Sequence, residues 1–351
     1  MKKIAEQFKI NGEILEIKNY GNGHINTTFL VVTDKEKYIL QKINTGIFRN
    51  YKELTENIIN VTGFLKEKII ENGGNPDRET LTLIPCTDDN FYYKDGENVW
   101  RMYSFIEDTY CIDEVSGAED FYNSAVAFGN FQNLLKDFKA EILHETIKDF
   151  HNTPKRYRDL LENIKSDKFD RVKEVSQEIE FITSREDRLS YLTDKIDSGI
   201  LPLRVTHNDT KLNNILFDKD SGKAICIVDL DTVMPGLIAY DFGDSIRFGA
   251  NHCAEDEHDL TKVNFDKSLY DMYFEGFITG CNNVLSSEEI KSLPYGAYLM
   301  TLENGIRFLS DYLDGDIYYK TEYPKQNLYR ARTQLKLANQ MELELNLYKN
   351  I

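Results

Sequence analysis

Between Glu13 and Ile106, apolar and polar residues alternate at the period of two expected of half-buried strands. Five runs stand out: Ile14 to Tyr20, Thr27 to Thr33, Lys37 to Ile43, Thr80 to Cys86 and Asn98 to Ile106. Polar or glycine-bearing turns separate them, among them Asp34-Lys35-Glu36 and Asp95-Gly96-Glu97-Asn98, as antiparallel hairpins require. Between the third and fourth runs the period becomes helical, from Tyr51 to Glu71, and the stretch stops at Asn72-Gly73-Gly74. This predicts a five-stranded antiparallel sheet interrupted by one long helix.

Beyond Asp108 the spacing of apolar residues is helical, over Phe121 to Phe138, Tyr157 to Ile164, Val172 to Ile196, Lys267 to Cys281, Ser287 to Tyr312 and Lys325 to Tyr348. The charge-rich 166–191 stretch reads as a solvated helix surface. A hairpin breaks this helical half: Ile215, Leu216 and Phe217, then the turn Asp218-Lys219-Asp220-Ser221-Gly222, then Ala224 to Leu230. The chain thus divides into a small sheet lobe, 1–106, and a large, mainly helical lobe, 107–351, an α+β organisation.

Composition narrows the partners. With 351 residues and 41% hydrophobic content the chain can bury a large core. A net charge of -17 argues against nucleic acid and against an anionic membrane surface, both of which are met with clustered Lys and Arg. The five cysteines, Cys86, Cys111, Cys226, Cys253 and Cys281, are widely spaced and read as reduced thiols of a cytoplasmic protein. The first residues lack the apolar run of a signal peptide, and no run has the length to cross a bilayer. His252, Cys253 and His258 read as part of a solvated loop, not a zinc cluster.

The chemistry is concentrated in His207-Asn208-Asp209-Thr210-Lys211-Leu212-Asn213-Asn214, followed by Ile227-Val228-Asp229. An H-x-D-x-x-x-x-N loop offers Asp209 to receive a hydroxyl proton, and Asn214 with Asp229 to hold Mg²⁺ on the phosphates of ATP. The predicted hairpin sets Asn214 and Asp229 side by side. His207 reads as an architectural residue of the loop. Asp241-Phe242-Gly243 spells the metal-binding tripeptide of protein kinases but lies past the hairpin, behind Pro235-Gly236. Asp241 is expected either to accept hydrogen bonds from the loop's backbone amides or His207, or to cap a helix.

At the nucleotide end, Gly21 and Gly23 flank a turn between the first two strands, placed where backbone amides could cover phosphates. A cation should reach the same phosphates from the third strand. Lys42 is the candidate, yet alternation puts Gln41 and Lys42 on opposite faces and leaves open which one enters the cleft. Glu53 or Glu56 on the following helix would pair with that cation. The hinge from Val99 to Ile106 would meet adenine through backbone groups.

With these elements in place the chain resembles the aminoglycoside phosphotransferase and choline kinase superfamily, which shares the two-lobed protein-kinase fold and acts on small molecules. Within it, the chain is similar to the branch that phosphorylates N-acetylhexosamines, through Gly21 to Asn26, Leu40 to Asn44, Gly73 to Asp77, His207 to Asn214, Asp229 to Thr232 and Tyr240 to Arg247. The resemblance implies transfer of the ATP γ-phosphate to the anomeric hydroxyl of N-acetylglucosamine or N-acetylgalactosamine. The sugar would be held by residues drawn from His24, Thr232, Asp244, Arg307 and Tyr318 or Tyr319. Arg307 could equally pair on the surface with Glu303 and Asp311, one helical turn away on either side. A kinase of an aminoglycoside, choline or homoserine, and a noncatalytic nucleotide-binding module, are the competing readings.

Overall fold

The computed structural model describes residues 1–21, 25–112 and 117–347. The first lobe runs α1 (Lys2–Ala5), β1 (Ile14–Asn19), β2 (Thr27–Thr33), β3 (Lys37–Ile43), α2 (Tyr51–Glu71), α3 (Pro76–Glu79), β4 (Tyr93–Asp95) and β5 (Asn98–Ser104). Its antiparallel sheet has the order β1-β2-β3-β5-β4. Alternation splits the sheet cleanly. Tyr38, Leu40, Trp100 and Met102 face a small core closed by Ala5 and Phe8. Ile43, Val99 and Tyr103 face α2 and the other lobe.

The sheet has five strands, as expected, but not the five expected. Residues 80–86 do not form a regular strand. They touch β5 through a single bridge, Leu83 to Tyr103, with Ile84 N donating to Met102 O and Ser104 N to Thr82 O. Pro85 has no N–H to continue that ladder. The short β4 takes the remaining edge of β5 instead.

The second lobe follows as β6 (Thr109–Tyr110), α4 (Ala118–Leu134), α5 (Thr153–Ser166), α6 (Ser176–Thr183), α7 (Tyr191–Asp197), β7 (Arg204–Thr206), β8 (Ile215–Asp218), β9 (Ala224–Ile227), β10 (Met234–Gly236), α8 (Ile238–Gly249), α9 (Lys267–Cys281), α10 (Ser287–Leu313) and α11 (Gln326–Glu344). The single helix expected over Val172 to Ile196 is broken. Thr183 and Ser184 turn their hydroxyls back onto Glu180 O and Phe181 O, the competition with the ladder that makes such residues weak in helix interiors. Nor is this stretch simply a solvated surface, because Arg185 and Arg188 both reach the fully buried Glu342 of α11.

Helix α10 is the spine of this lobe, with α8 and α11 packed on it. Where α8 and α10 cross, glycine faces glycine: a Cβ on Gly243 would lie 2.3 Å from Gly296 O, and one on Gly296 would lie 2.1 Å from Ala239 O. Among the described residues no helix is long and apolar enough to cross a membrane.

Candidate active site

Strand β8 pairs with β9 from Ile215 opposite Ile227, and Val228 N donates to Asn214 O (2.9 Å). The hairpin therefore brings Asn214 and Asp229 to its open end. Asp229 is forced there into the left-handed region, at φ 58°. The loop from His207 to Asn214 enters from β7, which pairs with β10.

Helix α8 holds this loop by its backbone. Asp241 accepts from His207 N (2.9 Å) and Gln132 Nε2 (3.1 Å) on one oxygen and from Asn208 N (2.8 Å) on the other. Asp244 accepts from Thr210 N (3.1 Å), and Thr210 donates its hydroxyl to Asp241 O (2.7 Å). Burial pushes the Asp241 carboxyl up to about 6, against the pull of His207 and the two backbone amides. From the opposite side Thr232 donates its hydroxyl to His207 O (2.6 Å), and Asn208 Nδ2 donates to Thr232 O (2.8 Å). His207 accepts from Asp209 N at Nδ1 (3.3 Å) and donates from Nε2 to Val228 O (2.9 Å), which sets its tautomer and ties loop to hairpin.

Asp209 thus emerges from a fixed backbone. Lys211 Nζ lies 2.8 Å from its Oδ1, and Asn214 Nδ2 donates to its Oδ2 (3.1 Å) and its carbonyl (2.8 Å). Burial works to raise its pKa, but the Lys211 ammonium, with His207 and Asn214, outweighs it and holds the carboxyl below the usual range. Asp229 is in the reverse position. Burial, and then the charges of Asp231 and Asp209, push it up to about 7. Two crowded carboxylates, with the Asn214 amide engaged only through its nitrogen among the contacts described, form a hard-oxygen set. That suits Mg²⁺, which binds through few protein oxygens and completes its shell with phosphates and water.

At the nucleotide end Gly21 has φ 72°, and Gly23 and His24 lie outside the described residues. Strand β3 turns Gln41 to the cleft and Lys42 away from it. Gln41 shares its face with Arg101, which reaches Asp231 in the other lobe, so Lys42 falls with Leu40 and Trp100 on the outer side. The expectation for Lys42 is not met, and neither is that for Glu56, which pairs with His144 Nε2 (2.8 Å). Beside it on α2, Asn57 is fully buried and also reaches the second lobe, donating to His144 O (2.8 Å) and Val233 O (3.0 Å).

The residues expected around the acceptor separate into two groups. Thr232 and Asp244 are committed to the loop, and Asp244 also pairs with Arg247 (3.0 Å). Arg307 and Tyr318 instead line a cavity of about 300 Å³ together with Lys148, Arg156, Ser310 and Tyr319. Neither expected surface partner takes Arg307. Glu303 binds His151 Nδ1 (3.2 Å) and the Thr153 hydroxyl (2.6 Å), while Asp311 accepts from the amides of Ile317 (3.0 Å), Tyr318 (2.7 Å) and Tyr319 (3.0 Å). The Arg307 guanidinium lies between the rings of Phe150 (5.5 Å) and Tyr319 (5.7 Å).

Lys211, Arg101, Asp231 and Asn26 were not singled out by sequence. Lys211 follows Asp209 by two, as Asp231 follows Asp229, a spacing that could have flagged both. Asn26, which donates to Asp231 Oδ2 (2.6 Å) across 205 positions, left no local signal.

A family model described as phosphotransferase enzyme family matches residues 16–267. Among solved structures, a microcompartment-associated aminopropanol kinase is similar at TM-score 0.67 and 14% identity, covering 99% of this chain and 97% of its own. A spectinomycin phosphotransferase in complex with ADP and spectinomycin matches at TM-score 0.56 and 12% identity, covering 94% of each chain. A choline kinase from Streptococcus pneumoniae matches at TM-score 0.54 and 13% identity, covering 93% of this chain and 94% of its own.

Proposed function

Because this chain belongs to the phosphotransferase enzyme family, we propose that it is an ATP-dependent kinase that phosphorylates the anomeric hydroxyl of N-acetylhexosamines. The observation that carries the reaction is the Asp209 carboxylate, kept ionised by Lys211 and aimed by Asn214 beside Asp229. The acceptor oxygen attacks the γ-phosphorus, the bond from that phosphorus to the β-γ bridging oxygen breaks, ADP leaves, and Asp209 takes the hydroxyl proton. Phosphoryl transfer is loose, so the proton moves late and a weakly basic carboxylate suffices. The larger contribution is in-line positioning in a cleft whose loop is braced from two sides. Asn214 and Asp229 would hold Mg²⁺, which when bound supplies charge neutralisation to the phosphates.

The cavity beside Arg307 supports the acceptor half of this reading. Its cations are Arg307, Arg156 and Lys148, while the acids at its rim are engaged: Asp159 with Lys155 (2.8 Å), Asp314 with Lys168 (3.1 Å) and Asp311 with backbone amides. Such a lining offers arginine, lysine and tyrosine donors to hydroxyl and acetamido oxygens, with its carboxylates already partnered.

The test is Mg²⁺-dependent ADP release with N-acetylglucosamine, N-acetylgalactosamine, choline, homoserine and an aminoglycoside as acceptors. Only the N-acetylhexosamines should stimulate it efficiently, and their methyl glycosides, blocked at the anomeric oxygen, should not. Turnover of a methyl glycoside, or a product carrying phosphate at O6, would overturn the assignment.

A further inference from the structure

A nucleotide's phosphates demand positive charge on the sheet side of a kinase cleft, and Lys42 is on the wrong face to supply it. Three strands present something else there. Thr28, Gln41 and Arg101 lie in register across β2, β3 and β5. Gln41 Nε2 donates to Thr28 Oγ1 (3.1 Å), and Gln41 Oε1 accepts from both Arg101 Nε (2.9 Å) and Nη2 (2.7 Å). The side chain gripping the guanidinium is therefore a neutral amide, which fixes its position without cancelling its charge.

Arg101 is only 1% exposed. Its Nη1 forms an ion pair with Asp231 of the other lobe, while Nε and Nη2 are held by Gln41. The charge of Asp229 also acts on the guanidinium. Lys211, on the loop itself, pairs with Asp209. A positive charge this deep, beside the metal-binding carboxylate and anchored by a neutral residue on β3, is placed for the nucleotide.

We propose that Arg101, delivered from β5, is the phosphate-binding cation of the nucleotide site, in the role for which a third-strand lysine was expected. The assignment rests on the kinase reading above.

The test is calorimetric titration of MgADP and of a nonhydrolysable MgATP analogue, with steady-state kinetics alongside. Lys42→Met should bind nucleotide within about twofold of wild type. Gln41→Glu, which neutralises Arg101 in place, should weaken binding at least tenfold and raise KM for ATP, leaving KM for the acceptor within about threefold. The double variant Arg101→Met/Asp231→Asn removes both charges without stranding a carboxylate and should lose affinity similarly; Arg101→Lys should retain part of it. Wild-type affinity in Gln41→Glu or in the double variant would overturn the proposal, as would a tenfold loss in Lys42→Met. Nucleotide binding that depends on Arg101, with no acceptor phosphorylated, would sink the kinase reading and leave this assignment standing.

Discussion

At Asp209 two opposing effects meet, and the structure decides between them. Burial alone would favour the protonated acid, useless as a proton acceptor, and the Lys211 ammonium prevents that. Asn214 adds its nitrogen, donating to the carboxyl and to the carbonyl of Asp209. Asp209→Asn should therefore lower kcat by about 10² to 10⁴, the range for removal of a general base, while MgADP affinity measured by titration stays near wild type. Retention of wild-type kcat would remove Asp209 from its role. The contiguous run from His207 to Asn214 was legible because its chemistry is written in neighbouring positions. Lys42 was not, because period-two alternation says that Gln41 and Lys42 face opposite ways without saying which way the cleft lies. That is fixed only by the partner across the lobes, Asp231, on Arg101.

Among the elements, α8 connects packing to chemistry. Its Asp241 and Asp244 hold the backbone of the loop that carries Asp209, and its axis is set by the contact of Gly243 with Gly296 on α10. Gly296→Ala should destabilise the protein by about 1–3 kcal/mol in urea unfolding, the usual cost of overpacking, and should lower kcat as the loop shifts with the helix. Unchanged kcat in a destabilised variant would separate helix packing from loop geometry. Helix α9 offers a pH test. Its N-cap Asp266 accepts from Ser268 N (2.9 Å) and Leu269 N (3.1 Å), and hydrogen bonds from Ser268 and His252 hold its pKa at about 2. A carboxyl depressed on folding stabilises above its unfolded value, near 4, and that contribution disappears as pH falls towards 2. Asp266→Ala should cost about 1 kcal/mol at pH 7, and the difference from wild type should close by pH 2. Helix boundaries such as Lys267–Cys281 were plain in the sequence because period and cap agree, whereas the break near Ser184 depends on hydroxyls competing for carbonyls.

Over the whole molecule, the change from sheet to helix near residue 106 is a change of pattern and not a gap in the core. One hydrophobic cluster joins Ile43, Leu54, Ile58 and Val99 to Phe131, Val205, Cys226 and Val233, and Asn57 and Arg101 cross the same boundary. Residues 1–106 produced alone should lack dispersed amide resonances and cooperative melting, and the full chain should unfold in a single transition by fluorescence and circular dichroism. Two transitions, or a folded fragment, would show that each lobe is stable by itself. The two-lobed plan was legible because each lobe has its own periodicity; the shared core was not, since its members come from separate stretches of the chain with different periods.

In protein kinases the phenylalanine of the Asp-Phe-Gly triplet can pack in two ways, and that choice separates active from inactive enzyme. Here the triplet lies inside α8, with Phe242 fully buried against Tyr270, Tyr273, Phe274 and Phe277. Turning the ring outward would mean unwinding a helix and opening an aromatic core. The triplet is therefore a fixed strut with no second setting. A ligand designed to trap an outward-turned phenylalanine would have to unwind this helix to find room at the position.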